Sequence, residues 1–325
     1  MPTRRELLGA MAAVPAASLL GLRDAHAQDA WPSRPITIVV PGQPGSGNDL
    51  TGRVLAQELS VILGVPVVID NKSGGRGAIA MQAVARAKPD GYTYVVVIAS
   101  MAVIMPSVTK VMPWDIREFV PVAQYAGLPT VFMTSRDSGI NSVAEPIALA
   151  RAQPGKINYG NGSTMTQMAM EMFNQQTGAG LTGIPYRGPA EAGKDLAGGL
   201  IQLDLQGVAA AVTSLQGGRT KALAMLATQR HPALPQVQTM AELGFKDFEF
   251  DGWAGVMAHR QTPDAIVQKM NAAIRKAVAS EDFKRRFEGM MVTPISTTTA
   301  EFAAIMARES AKYERIARAA KLEKT

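Results

Sequence analysis

The spacing of apolar positions changes again and again along the chain, from short continuous runs to helical intervals. Ile36, Thr37, Ile38, Val39 and Val40 form a β-branched run, the pattern of a buried strand. After it, Leu50, Val54, Leu55 and Leu59 recur at helical spacing, and Arg53, Gln57 and Glu58 take the other face. Between them lies Pro41-Gly42-Gln43-Pro44-Gly45-Ser46-Gly47-Asn48-Asp49, so the segment reads as strand, glycine-rich turn and helix start, with Asn48 or Asp49 as the N-cap. The alternation continues with strands over 66–69, 92–99 and 119–125. A polar turn covers 70–77 and a helix 78–87, stopped by Pro89-Asp90-Gly91. A second series starts at strand 130–133, with helix 143–152, strand 156–159, helix 167–177 and a rigid corner at 184–188. Helix 190–197, strands 201–205 and 221–227 and a proline-punctuated connector over 233–244 follow. An extended return over 248–258 carries Trp253, and helices near 264–278, 281–288 and 299–320 close the chain. Repeated βα units of this length predict an α/β fold: two lobes with mostly parallel sheets, helices on both faces and two hinge crossings, near 125 and 250.

Two of the predicted βα turns are chemically alike. In the first, Gly42, Gly45 and Gly47 let the backbone bend close to a ligand, and the first N–H groups of the next helix have no partner within it. In the second, Gly160-Asn161-Gly162-Ser163-Thr164-Met165-Thr166 brings small and hydroxyl side chains to another helix start. Each is a seat for an anion. The spacing of Gly42 and Gly47 imitates a nucleotide P-loop, but Asn48 and Asp49 stand where lysine and a hydroxyl residue belong. Leu50 excludes the dinucleotide fingerprint, and a ligand-free tight turn is the plain alternative for either segment taken singly. Together, at the carboxyl ends of strands in two lobes, they predict a ligand held in a cleft that closes by hinge motion.

The first 27 residues read as an address. Arg4-Arg5 precedes an uncharged stretch over 7–22 rich in alanine and leucine, and Ala25-His26-Ala27 is a small-x-small cleavage site. A twin-arginine export peptide over 1–27 is expected, with a fraying N-terminal helix as the alternative. Its removal deletes three arginines and two acids, so the net charge falls from +6 to +5. A mildly basic chain suits an anionic small molecule, and no Lys/Arg run interleaved with aromatics points to nucleic acid. The sequence has no cysteine, which removes disulfides and thiolate chemistry. Only His231 and His259 remain after cleavage, neither with a ligand-type neighbour, so no metal or cofactor is expected. A hydrolase would need a nucleophile with a base, and there is no Gly-x-Ser-x-Gly elbow. About 300 residues are enough for two domains.

The motifs in order resemble the Bug-type solute receptors of tripartite tricarboxylate transporters. The resemblance rests on 40–49, on 63–72 with Gly74-Gly75-Arg76-Gly77, and on Lys88-Pro89-Asp90-Gly91-Tyr92-Thr93. It continues through Asn158-Tyr159-Gly160-Asn161-Gly162-Ser163, Pro185-Tyr186-Arg187-Gly188, Arg230 with Leu234-Pro235 and Thr239, Ala241-Glu242-Leu243-Gly244, Trp253-Ala254-Gly255 and Thr262-Pro263. It implies a type II periplasmic-binding-protein fold, with lobe 1 over 28–126 plus 250–325 and lobe 2 over 127–249. It also implies a periplasmic monomer without catalysis that passes a small organic carboxylate to the transporter's membrane subunits. The expected ligand residues are Gln43, Gly45, Ser46, Gly47, Asn48 and Asp49 in the first turn, and Ser100 after strand 92–99. In the second lobe they are Asn161, Gly162, Ser163, Thr164, Thr166, Tyr186, Arg187 and Gln206, with ordered water bridging part of the contact. Gln202 and Gln206 stand where the family usually has acids, which removes a counter-charge for an amino-acid ligand, and Ser46 replaces a usual glycine. Tyr186 reads equally as cleft wall or structural corner, Arg187 as ligand contact or surface ion pair, and Trp253 as hinge packing or stacking platform. A ligand-sensing partner of a membrane signalling protein, or an exported hydrolase, are the alternative functions.

Overall fold

The computed structural model of the protein describes residues 31–246 and 248–322; the expected export peptide lies outside the described residues. The chain divides into two units, Met1–Ser33 and Arg34–Thr325, and all the elements named below belong to the second. The first series runs β1 (Ile36–Val40), α1 (Gly47–Leu63), β2 (Val67–Asn71), α2 (Ala78–Ala85) and β3 (Thr93–Ile98). A π-helical turn over Ser100–Ile104 leads into α3 (Met105–Val108), and β4 (Phe119–Leu128) crosses over. The second series is β5 (Thr130–Ser135), α4 (Ala144–Ala152), β6 (Asn158–Asn161), α5 (Thr164–Thr177), β7 (Thr182–Pro185), α6 (Pro189–Ala197), β8 (Leu203–Gly207), α7 (Val208–Gln216) and β9 (Thr220–Met225). The return is β10 (Gly252–His259), followed by α8 (Asp264–Ala279), α9 (Glu281–Gly289), β11 (Thr293–Pro294) and α10 (Thr299–Ala319).

The strands form a six-stranded sheet, β11-β4-β10-β3-β1-β2, and a five-stranded sheet, β7-β6-β8-β5-β9. Their pairing is mixed, which corrects the expectation of mostly parallel sheets. β1 pairs parallel with β2 and β3, and β6 with β7 and β8, but β10 runs antiparallel between β3 and β4 and β5 antiparallel between β8 and β9. The reason is topological: each of these two strands enters its sheet from the other lobe, at the far end of a crossing, so it runs against its neighbours. Their arrival in mid-sheet ties both crossings into ladders.

The two lobes share a core. One apolar cluster includes Val95 and Val97 on β3, Met101–Met105, Phe132 on β5, Met168, Met172 and Phe173 on α5, and Phe302 and Tyr313 on α10. Aromatic edges lock it: Phe132 meets Phe173 at 5.4 Å, Phe250 meets Tyr313 at 5.4 Å, and Trp253 meets Phe302 at 5.1 Å. The methionines, Met101, Met105, Met168 and Met172 among them, fill this seam with flexible apolar volume. Trp253 is a packing residue, 2% exposed, its indole N–H donating to Glu309 Oε2 at 2.7 Å. A smaller cluster, with Val131, Met133, Ala192, Leu196 and Ile201, packs α6 and α7 on the other face of the second sheet.

Candidate functional site

Four strand ends feed four helix starts: β1 into α1, β6 into α5, β7 into α6, and β8 directly into α7. The first residues of all four helices border one opening of about 1160 Å³: Ser46 and Gly47, Ser163 and Met165, Pro189 and Ala190, Gly207 and Ala210. Each helix start carries roughly half a positive charge on unpaired N–H groups. α1 and α5 meet the opening only at their first turns, whereas α6 and α7 border it along a lateral face as far as Ala197 and Ser214. The anion-favouring seat therefore lies at the two serine-capped starts; among the described residues no carboxylate borders it. The rest of the wall is mostly apolar, with Leu128, Met165, Ala197, Leu205 and Phe250, so the opening suits an anion attached to a hydrocarbon body.

Local chemistry explains why the two turns hold their shape. Ser46 is the cap of α1, its Oγ accepting from Asp49 N at 3.4 Å, so neither Asn48 nor Asp49 caps the helix as expected. Ser163 caps α5, accepting from Thr166 N at 3.1 Å and bonding Thr166 Oγ1 at 3.0 Å. The Asp49 carboxylate does not face the opening. It is 1% exposed and accepts from Gly45 N at 2.8 Å, Arg53 Nε at 3.0 Å and Asn71 Nδ2 at 2.9 Å. Burial alone would raise its pKa, but the Arg53 guanidinium and these donors outweigh it and hold the carboxyl below its ordinary value. Asp49 thus braces the turn from behind, and Gly45, at φ 82°, is the residue that lets the loop fold back onto it.

Of the residues expected from the sequence, Ser46, Gly47, Ser163, Thr166 and Gln206 border the opening. Gln43, Gly45, Asn48, Asn161, Gly162 and Thr164 lie in the same two turns, set back from its wall, and Ser100 begins the π-helical turn after β3. Tyr186 is a structural corner: its hydroxyl donates to Asp195 Oδ2 at 2.7 Å, and burial with this bond pushes its pKa up to about 12. Arg187 is exposed, its N–H donating to Glu191 Oε2 at 3.2 Å, and it does not border the opening. Asp49, Tyr186 and Arg187 thus do not border the opening, and the first two are engaged by other side chains.

The sequence reading missed Lys194 on α6, Thr213 and Ser214 on α7, and Phe250 on the return, all bordering the opening. The signal for α7 was present, since Gly207 precedes and Gly217-Gly218 follow an alanine-rich run of helical length. Behind the wall it missed Asp204, 2% exposed on β8, whose carboxyl burial pushes up to about 7. Its Oδ1 accepts from Leu205 N at 2.8 Å and its Oδ2 from Gln206 Nε2 at 3.1 Å.

A model of the family described as tripartite tricarboxylate transporter family receptor matches residues 51–322. The chain is 33% identical over 298 residues to Protein BugT of Bordetella pertussis, covering 89% of this chain and 90% of that one. Among solved structures it is similar to R. palustris Rpa4515 with adipate, at 30% identity and a TM-score of 0.77, over 90% of this chain and 98% of that one. It is also similar to MatC (Rpa3494) from Rhodopseudomonas palustris with bound malate, at 25% identity and a TM-score of 0.72, over 88% of this chain and 99% of that one. The two-lobed α/β architecture is the type II periplasmic-binding-protein fold that the motifs implied. The chain therefore belongs to the tripartite tricarboxylate transporter receptor family.

Proposed function

We propose that the protein is a periplasmic receptor that captures a small carboxylate between its two lobes and delivers it, unchanged, to the membrane subunits of a tripartite tricarboxylate-type transporter. The lobes are 28–126 with 250–325, and 127–249, and the peptide over 1–27 directs export. The observation that carries the reading is that the serine-capped starts of α1 and α5, one in each lobe, border one opening. Backbone N–H groups near Gly47 and Thr164 hold the carboxylate, and the apolar wall takes the rest of the molecule. The similarity to a protein solved with adipate and another solved with malate supports the same ligand class. In this reading the ligand leaves unchanged; the groups that border the opening are hydroxyls, amides and one lysine.

The test is a thermal-shift screen of the purified protein against mono-, di- and tricarboxylates and aromatic acids, followed by mass spectrometry of the binder after incubation with stoichiometric protein. A ligand at 100 times its Kd stabilises the folded form by about 2.7 kcal/mol. The expected result is a shift with at least one carboxylate, its methyl ester inactive and the acid recovered intact. A screen without any carboxylate shift, or a new product in the mass spectrum, overturns the reading.

A further inference from the structure

The Gln206 amide borders the opening, yet the residue is only 6% exposed. Its Nε2 is engaged by Asp204 Oδ2 at 3.1 Å, while its Oε1 is shut off from water and has no hydrogen-bond partner. Gly193 on α6 makes room for it: a Cβ there would lie 3.1 Å from Nε2. Asp204 can engage only one end of the amide, so the other end is always left over. A buried amide oxygen without a partner is costly, and the adjoining space is where a ligand enters.

We infer that Gln206, oriented by Asp204, is a specificity-determining residue that offers its amide oxygen to a hydrogen-bond donor on the ligand, so that the site prefers a carboxylate bearing a neutral hydroxyl or N–H group over a dicarboxylate of the same length. This rests on the carboxylate-receptor reading above. An ionised Asp204 accepts from Nε2 and so leaves the oxygen free, and its negative charge opposes a second carboxylate beside Gln206. When Asp204 is protonated, its O–H becomes a donor, the amide takes a half-turn to supply Oε1 to it, and Nε2 is left over instead. That end donates, so the preference passes to a second carboxylate. Burial pushes the Asp204 carboxyl up to about 7, which puts the change of preference near neutral pH.

The ionisable groups around Asp204 are few. Tyr186 lies close enough to feel its charge and donates its hydroxyl to Asp195 on α6. Glu191 and Lys194 on α6 are exposed. Tyr159 on β6 pairs with Leu203 and so lies on the opposite face of the sheet, and β5 and α7 contain no titratable side chain. The group that takes up a proton as pH falls through neutrality is therefore Asp204.

The experiment is isothermal titration at pH 8 and pH 5.5 with three probe series of four to six carbons: simple monoacids, ω-hydroxy acids and α,ω-diacids. The expected result at pH 8 is that the best hydroxy acid binds at least about tenfold more tightly than the diacid and the monoacid of its length, and that the diacid gains on it at pH 5.5. Gln206→Leu should bring hydroxy acid and monoacid to equal affinity while monoacid binding persists. Asp204→Asn, whose amide can donate to Oε1, should favour the diacid at both pH values. A Gln206→Leu variant that keeps the hydroxy-acid advantage, or a wild type that prefers diacids at pH 8, overturns the inference and leaves the receptor reading standing. Absence of binding by every probe overturns the inference, and the receptor reading falls with it only if the thermal-shift screen also finds no carboxylate. If Asp204→Asn does not fold, Gln206→Leu decides alone.

Discussion

Two glycines that look alike in the sequence differ in what surrounds them. Gly47 is the first residue of α1 and borders the opening, and a Cβ added there meets nothing within 4 Å. A Cβ at Gly162 would lie 2.8 Å from both Gly188 C and Pro189 N, inside the backbone that starts α6. Valine therefore tests the seat at position 47 and the fold at position 162. The Gly47→Val protein is expected to keep the wild-type circular dichroism spectrum and to lose at least about tenfold in carboxylate affinity, roughly 1.4 kcal/mol, by titration. Gly162→Val is expected to lower the melting temperature, because α6 must shift. A folded Gly47→Val protein with unchanged affinity would remove the α1 N-terminus from the binding site.

The helix starts work as units of cap, first-turn N–H groups and strand end, and the two serine caps are not equal. Ser163 holds Thr166 through both backbone and hydroxyl, at 3.1 and 3.0 Å, whereas Ser46 reaches Asp49 N at 3.4 Å while Asp49 itself braces the turn. Ser163→Ala is expected to cost about 1 kcal/mol of stability in urea unfolding and Ser46→Ala about half of that. Both should change carboxylate affinity only modestly, since the N–H groups remain; a tenfold loss in Ser46→Ala would mean that the hydroxyl, not the backbone, holds the ligand. This was legible in the sequence because glycine, serine and β-branched runs act locally: β1, its turn and α1 follow from adjacent residues, as does the start of α5. What was not legible depends on partners distant in the chain. Asp49 reads as a cap until Asn71 and Arg53 enclose its carboxylate, and Tyr186 reads equally as cleft wall or corner until Asp195 takes its hydroxyl. β7 reads as a turn because its strand character comes from pairing with β6.

Closure of a two-lobed receptor passes through its crossings, and here the crossings meet at a buried charge cluster. The backbone N–H of Thr130 at the start of β5 faces the carboxyl of Asp251, just before β10, so the outgoing and returning segments meet there. Asp251 Oδ1 has no hydrogen-bond partner and no contact with water. Glu249, Glu309 and Lys312 surround it in a cavity of about 630 Å³, with Arg230, His231 and Arg308 also on the wall. Burial first, then the charges of Glu249 and Glu309, push the Asp251 carboxyl up to about 7 against an ordinary 3.8. The folded form therefore keeps a proton that the unfolded chain has already released, and stability falls as pH rises from about 4 to about 7, then levels off. Asp204 adds a contribution of the same sign. Each pH unit in that window is worth up to about 1.4 kcal/mol for a full proton of difference. Asp251→Asn keeps an oxygen for Thr130 and removes the charge. It is expected to melt above the wild type at pH 8, by an amount that shrinks steadily below pH 7 and vanishes only below about pH 4, where the unfolded carboxyl carries its proton as well. Differential scanning calorimetry of both proteins across that range checks it. A difference between them that does not change with pH would mean that Asp251 is ionised throughout, stabilised by Lys312, and that the crossings are joined by a salt bridge and not by a neutral acid.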